Sequence, residues 1–258
     1  MRINTNISAL NTYNQYSKNT NSASSAMAKL SSGLRINSAA DDAAGLSISQ
    51  KMGSQIAGLD QAERNAEDGV SYLETADGGM SEISDMLTRM KELAVQSANG
   101  TYNTDDKTNI QSEMTSLTSA INDIVAGTKF NGNNVYSNPT TIAYGADGSQ
   151  TVTIAAATST TTLAGLNSTS SATDIEGAIT AVDTDRASYG AQQDQLNHVV
   201  NNMSATSTNI SAAKSRISDV DMASEMSEYT KDNILVQAAT SMLAQANSMP
   251  QGVLKLLQ

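Results

Sequence analysis

Aromatic residues are scarce in this chain of 258 residues, which contains one Phe, eight Tyr and no Trp. Domains of this length usually draw much of their buried area from aromatic rings. A core without them must be assembled from Leu, Ile, Val, Met and Ala, and closely packed helices suit that set of side chains. The composition therefore favours a mainly helical protein.

Cysteine is absent and histidine occurs once, at His198. These two facts exclude disulfides, thiolate metal sites and a His-Glu-x-x-His zinc motif. We interpret His198 as a structural or surface residue of a helix, not as part of a catalytic relay. The acidic pairs Asp41-Asp42 and Asp219-Val220-Asp221 fit helix caps better than a catalytic or cation site. The sequence therefore predicts no enzyme, no cofactor and no metal site.

Positive charge is in deficit, and the formal net charge is -11. This excess of acid argues against nucleic acid and against an anionic membrane surface as partners. No apolar run is long enough for a transmembrane helix, so we expect no membrane insertion. The first seven residues also lack the apolar stretch of a Sec signal peptide. We expect any export to use another route, without a cleaved signal peptide.

The strongest periodic pattern is a heptad seam, in which apolar or small residues alternate at spacings of three and four. It predicts one long helix that ends at Asn99-Gly100. The seam consists of Leu59, Ala62, Ala66, Gly69, Leu73, Ala76, Met80, Ile83, Leu87, Met90 and Ala94.

Two further helices are predicted from the same spacing, one over Ile110 to Ile124 and one over Ile175 to Ile217. Asp105-Asp106 is interpreted as capping for the first of them. Polar residues interrupt the seam of the second at Arg186, Gln193 and Ser207, which predicts looser packing there. The short connections favour an antiparallel bundle.

Strand-like alternation occurs between Phe130 and Thr173. Thr140–Tyr144 and Thr151–Ala155 alternate apolar and polar residues on either side of the turn Gly145–Ser149, which predicts a β-hairpin. The Ser/Thr/Ala-rich run that follows, to about Thr173, is expected to be a loop or weakly ordered.

Both ends of the chain carry apolar stripes that a single helix leaves unmatched. We expect each terminal helix to pack against the other and against neighbouring copies, with Pro250 kinking or fraying the last turns. The residues expected in this terminal seam are Ile3, Ile7, Leu10, Leu34, Leu235, Ala239, Met242, Leu243, Ala246, Met249, Val253 and Leu256.

Six motifs, spread in order along nearly the whole chain, resemble those of bacterial flagellin, the subunit of the flagellar filament. A single motif of this kind is weak, whereas the ordered set is highly specific. The motifs are Leu30–Leu46, Ala62–Gly69, Lys91–Gln96, Phe130–Gly132, Ser215–Ala223 and Asn233–Leu254.

The resemblance implies a mainly α fold: an elongated antiparallel helical bundle or coiled coil with one small β-hairpin and paired N- and C-terminal helices. Residues 1–40 and 219–258 are expected to form the coiled-coil domain of an inner tube. Residues 41–218 are expected to form the outer-tube bundle, with the hairpin at about 140–155. The chain is similar to a short flagellin that lacks the extra outer domains of longer members.

The resemblance also implies partners and a location. The expected partners are other copies of the chain in a helical homopolymer, a flagellar export chaperone, a cap protein and hook-junction proteins. The expected location is the extracellular flagellum, reached through the flagellar type III apparatus. A vertebrate Toll-like receptor is a further expected partner. The residues that match its contacts are Leu87, Arg89, Glu92, Leu93, Gln96 and Glu113, of which Arg89, Glu92 and Leu93 are expected to face outward.

Two other functions remain open at this point. One is the hook–filament junction protein, a relative with similar ends. The other, from a different class, is a cytoplasmic helical signalling rod of the chemoreceptor type, which predicts a helical hairpin and no β-hairpin.

Overall fold

The computed structural model describes the backbone of residues 6–256 and the side chains of residues 6–249. Expectations that concern Ile3, and the side chains of Val253 and Leu256, lie outside the described residues. The helices are α1 Ile7–Ser32, α2 Ala43–Ala98, α3 Thr104–Gly127, α4 Ser159–Ala164, α5 Ala172–Ser218 and α6 Met222–Leu256. The strands are β1 Lys129–Phe130, β2 Asn133–Asn134, β3 Thr140–Ala143 and β4 Thr151–Ile154. The mainly α fold is therefore confirmed.

The chain divides into two compact units. Residues 1–54 and 210–258 form the first, here called the terminal unit, and residues 55–209 form the second, the central unit. Helices α2 and α5 contribute residues to both units.

The core of the central unit follows the predicted heptad seam of α2. Met80, Ile83, Leu87 and Met90 have no exposed surface. Helix α5 contributes buried residues at intervals of seven positions, namely Ile175, Val182, Tyr189, Leu196 and Met203. Helix α3 adds Ile110, Met114 and Ile121. The predicted seams are confirmed, because positions three and four apart lie on one face of a helix.

The three polar interruptions of the α5 seam make hydrogen bonds to α2. Arg186 Nε donates to Asp77 Oδ1 at 2.8 Å, Gln193 Nε2 to Glu74 Oε1 at 3.2 Å, and Ser207 Oγ to Asp60 Oδ1 at 3.1 Å. Each polar side chain thus meets a carboxylate on the facing helix and remains partly exposed, and the looser packing expected at these positions stays a prediction.

Both strand pairs are antiparallel. The predicted hairpin is confirmed as β3 and β4, with Thr140 opposite Ile154 and Ala143 opposite Thr151. A second hairpin, β1 with β2, was missed. Asn131-Gly132 forms its turn with φ of 47° and 83°. An Asn-Gly pair is a strong signal for a two-residue turn with two positive φ angles, and this signal could have predicted the second hairpin.

The segment after β2 packs against α2 at a glycine. The Tyr136 hydroxyl donates to the Ala76 carbonyl at 2.7 Å, and a Cβ at Gly79 would collide with that hydroxyl. Gly79 therefore permits the close approach that buries Tyr136 completely.

The segment expected to be a loop or weakly ordered contains α4. Ser159 N donates to the buried Asp185 Oδ2 at 2.8 Å, and Leu163 and Leu166 are buried. The expectation of a loop holds on either side of α4 but was wrong for Ser159–Ala164, where the buried Leu163 and the contact of Ser159 N with Asp185 stabilise a short helix.

Candidate functional site

Helix α1 is positioned at both of its ends. At its start, Asn6 Oδ1 accepts from Ala9 N at 3.1 Å and Asn6 Nδ2 donates to the Ala246 carbonyl of α6 at 2.8 Å. At its end, Gly33 adopts φ of 71° and its N–H caps the Lys29 carbonyl at 2.9 Å. The first and last helices are thus paired, as expected.

The α1–α2 connection is joined to the α5–α6 connection. Arg35 N donates to the Ser218 carbonyl at 2.7 Å, and Val220 N donates to the Gly33 carbonyl at 3.1 Å. Arg35 Nη2 also donates to the Ile217 carbonyl at 2.6 Å. The two flagellin-like motifs around Arg35 and Asp219 therefore meet in one small two-stranded bridge within the terminal unit.

The acidic pairs of this region serve as caps. Asp42 Oδ1 accepts from Gly45 N at 2.9 Å where α2 begins, and Asp221 Oδ1 accepts from Ala223 N at 3.0 Å where α6 begins. Asp41 accepts from the backbone and hydroxyl of Ser38, and these hydrogen bonds lower its pKa. Hydrogen bonds from Ser215 and then Ser218 lower the pKa of Asp219. These contacts stabilise the ionised carboxylates and explain their positions.

The interface between α1 and α6 consists of small and polar residues. The buried positions are Asn19 and Ala26 on α1 and Asp232, Ala239 and Ala246 on α6. The partly buried positions continue both heptads and are Thr12, Tyr16, Ala23, Leu30, Val236 and Leu243. Small residues let the two helices approach closely but bury little apolar area, so this interface is narrow.

Most of the large residues expected in the terminal seam remain exposed in the single chain. Their exposed fractions are 57% for Ile7, 54% for Leu10, 41% for Leu235, 61% for Met242 and 58% for Met249. Leu34 is 37% exposed. Together with Tyr13, Met27 and Ile234, which are also exposed, they form what we call the terminal apolar surface. A surface this rich in large apolar side chains is a typical binding face.

A second candidate surface lies on α2 and α3. Arg89 Nε and Nη2 both contact Glu113 Oε1, at 3.1 and 3.0 Å, and Nη1 contacts Glu92 Oε2 at 3.0 Å. The hydrogen bonds that Arg89 donates, first to Glu113 and then to Glu92, raise the pKa of Arg89. Arg89, Glu92, Gln96 and Glu113 are all exposed, and we call this set the Arg89 patch.

Leu93 does not belong to that patch. It is 2% exposed, and Leu87 has no exposed surface. The expectation that Leu93 faces outward was wrong, because the apolar stripe of α2 is wide enough to include both Leu93 and Ala94 beside Met90.

Charge is divided unequally between the two units. The terminal unit contains nine Lys or Arg and seven Asp or Glu, which give it a formal charge of +2. The central unit contains six Lys or Arg and nineteen Asp or Glu, which give it a formal charge of -13. The acidic character of the chain therefore belongs to the central unit alone.

No site for other chemistry emerges from the part of the chain that the structure describes. His198 is exposed on α5. Between residues 6 and 256, no three His, Cys, Asp or Glu side chains are arranged to hold a metal ion. Over the same range, no helix combines the length and apolarity needed to cross a bilayer.

Comparison with known proteins matches both ends of the chain to one family. Residues 3–141 match the bacterial flagellin N-terminal helical region, and residues 172–257 match the bacterial flagellin C-terminal helical region. The unmatched interval between them contains β4 and α4.

Similar proteins cover the chain from end to end. Flagellins of Bacillus subtilis and Halalkalibacterium halodurans are each 42% identical, with all of both chains aligned. The flagellar filament 33 kDa core protein of Treponema phagedenis is 38% identical over the same full extent. The crystal structure of Bacillus cereus flagellin covers 58% of this chain and 94% of its own, with 31% identity and a TM-score of 0.50. The chain therefore belongs to the bacterial flagellin family.

Proposed function

We propose that this chain is the structural subunit of a bacterial flagellar filament, and that copies polymerise through the terminal unit. In this proposal residues 1–40 and 219–258 form the inner tube, and residues 41–218 form the outer tube. The terminal apolar surface carries the proposal. It contains nine of the thirteen large apolar side chains that are exposed among the described residues.

The energetics favour burial of that surface between copies. Complete burial of a fully exposed large aliphatic or Met side chain contributes about 1.5–3 kcal/mol, so covering one that is about half exposed contributes about half of that. Several such side chains per copy, buried in repeated contacts, offset the entropy that each subunit loses when it joins a polymer. The narrow α1–α6 interface cannot supply this stabilisation within one chain.

The division of charge supports the same arrangement. A terminal unit with a charge of +2 packs against copies of itself with little electrostatic repulsion, whereas units with a charge of -13 repel one another. With the terminal units inside and the central units outside, the closest packing involves the units of low charge, and the strongly acidic units stay in contact with water.

Electron microscopy of the purified chain after seeding tests the proposal. We expect long helical tubes from the unmodified chain and none from Met242→Asp, which places a charge on the terminal apolar surface. Ala191→Asp is the control, because Ala191 is an exposed apolar residue of the central unit that lies on α5, outside the Arg89 patch. Equal loss of tubes in both variants would contradict the assignment of polymer contacts to the terminal unit.

The same surface accounts for the further partners that the family implies. Before assembly, an exposed apolar surface needs cover, which an export chaperone would supply. A cap protein and hook-junction proteins would meet the ends of the polymer. Export to the extracellular flagellum without signal cleavage predicts filament subunits whose measured mass includes Met1-Arg2-Ile3 or lacks Met1 alone.

The Arg89 patch is our proposed contact for a neighbouring subunit and, in the released monomer, for a Toll-like receptor. The Glu113–Arg89–Glu92 arrangement holds the guanidinium at the surface in a fixed orientation. Arg89→Ala is expected to weaken receptor signalling by the monomer. Cross-linked filaments at equal subunit concentration should signal less than monomer, and equal signalling would show that assembly does not cover the patch.

A further inference from the structure

A polar cavity of about 290 Å³ lies between α1 and α6, inside the terminal unit. Helix α1 contributes Ser22, Ser25 and Lys29 to its lining, and α6 contributes Glu225, Glu228 and Asp232. We call it the acidic pocket, because its lining includes three carboxylates and one ammonium group, that of Lys29.

Each carboxylate of the acidic pocket has an ion-pair contact with a lysine, and only the contact of Glu228 is short enough for a hydrogen bond. Asp232 is 6% exposed, and none of the described residues donates a hydrogen bond to it. Its nearest cation is Lys231, 4.0 Å away, which is mostly exposed and lies nearer to Glu228, at 3.5 Å. The Glu225 side chain is 13% exposed and has only Lys29, at 3.7 Å.

Such an arrangement favours an additional cation. A carboxylate removed from water is costly unless donors or a counter-charge compensate it. The pocket offers acidic oxygens and two hydroxyls, which are the acceptors that an ammonium or guanidinium group requires. A metal ion fits less well, because no three acidic side chains of the described residues converge on one point.

We propose that the acidic pocket receives a Lys or Arg side chain from a second copy of this chain. This inference rests on the proposed polymerisation through the terminal unit. The terminal unit supplies the complementary charge itself. Lys18, Lys51 and Arg216 are exposed there and make no ion pair with any described residue. The contact joins two different surfaces, so it extends a polymer in one direction.

Neutralising the buried carboxylate tests the pocket. Asp232→Asn preserves the shape of the side chain and removes its charge. We expect the critical concentration for polymerisation to rise by at least about 30-fold, since an interfacial charge is left unpaired. Asp194→Asn is the matched control, because Asp194 is exposed on α5. Circular dichroism of the monomer monitors folding, and an unchanged critical concentration for a folded Asp232→Asn chain would overturn the proposal.

Charge reversal identifies the second copy as the source of the cation. Asp232→Lys should stop elongation of wild-type seeds. One of Lys18→Glu, Lys51→Glu or Arg216→Glu, combined with it in the same chain, should restore elongation. Rescue by none of the three would overturn the proposal, even if the unmodified chain forms tubes. Absence of tubes from the unmodified chain would instead contradict the proposed function.

Discussion

The central and terminal units are both built from heptad helices, yet they use their apolar residues in opposite ways. The central unit buries large side chains such as Met80, Ile83 and Leu87 completely. In the terminal unit, the buried apolar residues among those described are three alanines and Ile36. Among residues 6–249, thirteen large apolar residues are exposed; twelve belong to the terminal unit, and Val95 is the remaining one. One unit has a closed core, and the other has a narrow interface with an open apolar surface.

The difference shows that an apolar heptad does not by itself specify an intramolecular contact. On α6 the buried row contains Asp232, Ala239 and Ala246, while Leu235 and Met242 lie beside it and remain exposed. The chain uses its small residues to pair its own ends and keeps its large ones uncovered. This is the arrangement that a subunit needs if its stability as a monomer and its assembly are to depend on separate residues.

The largest expected effect is loss of assembly with the central unit intact. Ala239→Asp places a carboxylate in the α1–α6 interface, where it has no counter-charge. We expect no filaments and no motility, but unchanged thermal unfolding of the central unit by far-UV circular dichroism. Normal filaments from this variant would refute the placement of Ala239 in the terminal seam.

The next largest expected effect is a loss of stability when a side chain is removed from the central core. Leu87→Ala is expected to lower the free energy of unfolding by about 2–5 kcal/mol, because it leaves a cavity at a completely buried position. Met242→Ala removes a side chain that is 61% exposed, and we expect a change of less than about 0.5 kcal/mol. Denaturant titration of both monomers measures the contrast. A similar loss in the two variants would mean that the terminal apolar surface is already covered in the monomer.

Adjacent glycines of α2 provide a finer test of packing in the central unit. Gly78 has open space around its Cβ position, so Gly78→Ala should stabilise the helix by about 1 kcal/mol. At Gly79 a Cβ would collide with the Tyr136 hydroxyl and lie 3.0 Å from Thr128 Oγ1. Gly79→Ala should therefore destabilise the protein by about 1–3 kcal/mol. Thermal melts that shift in the same direction for both would contradict this reading of the Tyr136 contact.

The smallest expected effect is a loss of stability of the central unit in alkaline solution. Burial raises the pKa of Tyr136 to about 12, and burial together with Asp185 raises the pKa of Tyr189 further. Because the folded state favours the neutral phenols, their contribution is fully present below pH 10 and is lost as the pH rises through 12. We expect the melting temperature of the central unit to fall over that interval, in step with tyrosinate absorbance. The fall should be smaller in Tyr136→Phe, and an equal fall would assign it to other groups.

Local pattern was sufficient to predict the long helices and the main hairpin. The α2 seam, the stop at Asn99-Gly100 and the strands around Ile142 and Val152 all follow from periodicity and turn chemistry, which act within a few residues. The acidic caps at Asp42 and Asp221 are local in the same way. The failures at α4 and at the Asn131-Gly132 hairpin concern short elements whose stability depends on what they pack against.

The sequence by itself determined the helical class of this protein, the pairing of its ends and its family, since each depends on spacing or on ordered motifs. Only the tertiary structure decided which residues of a stripe are covered. It buried Leu93, joined Arg186 to Asp77, and left Met242 exposed beside Ala239. It also enclosed Asp232 between α1 and α6. The physical reason is that burial depends on the distance and orientation of a partner helix far away in sequence, which no local pattern contains.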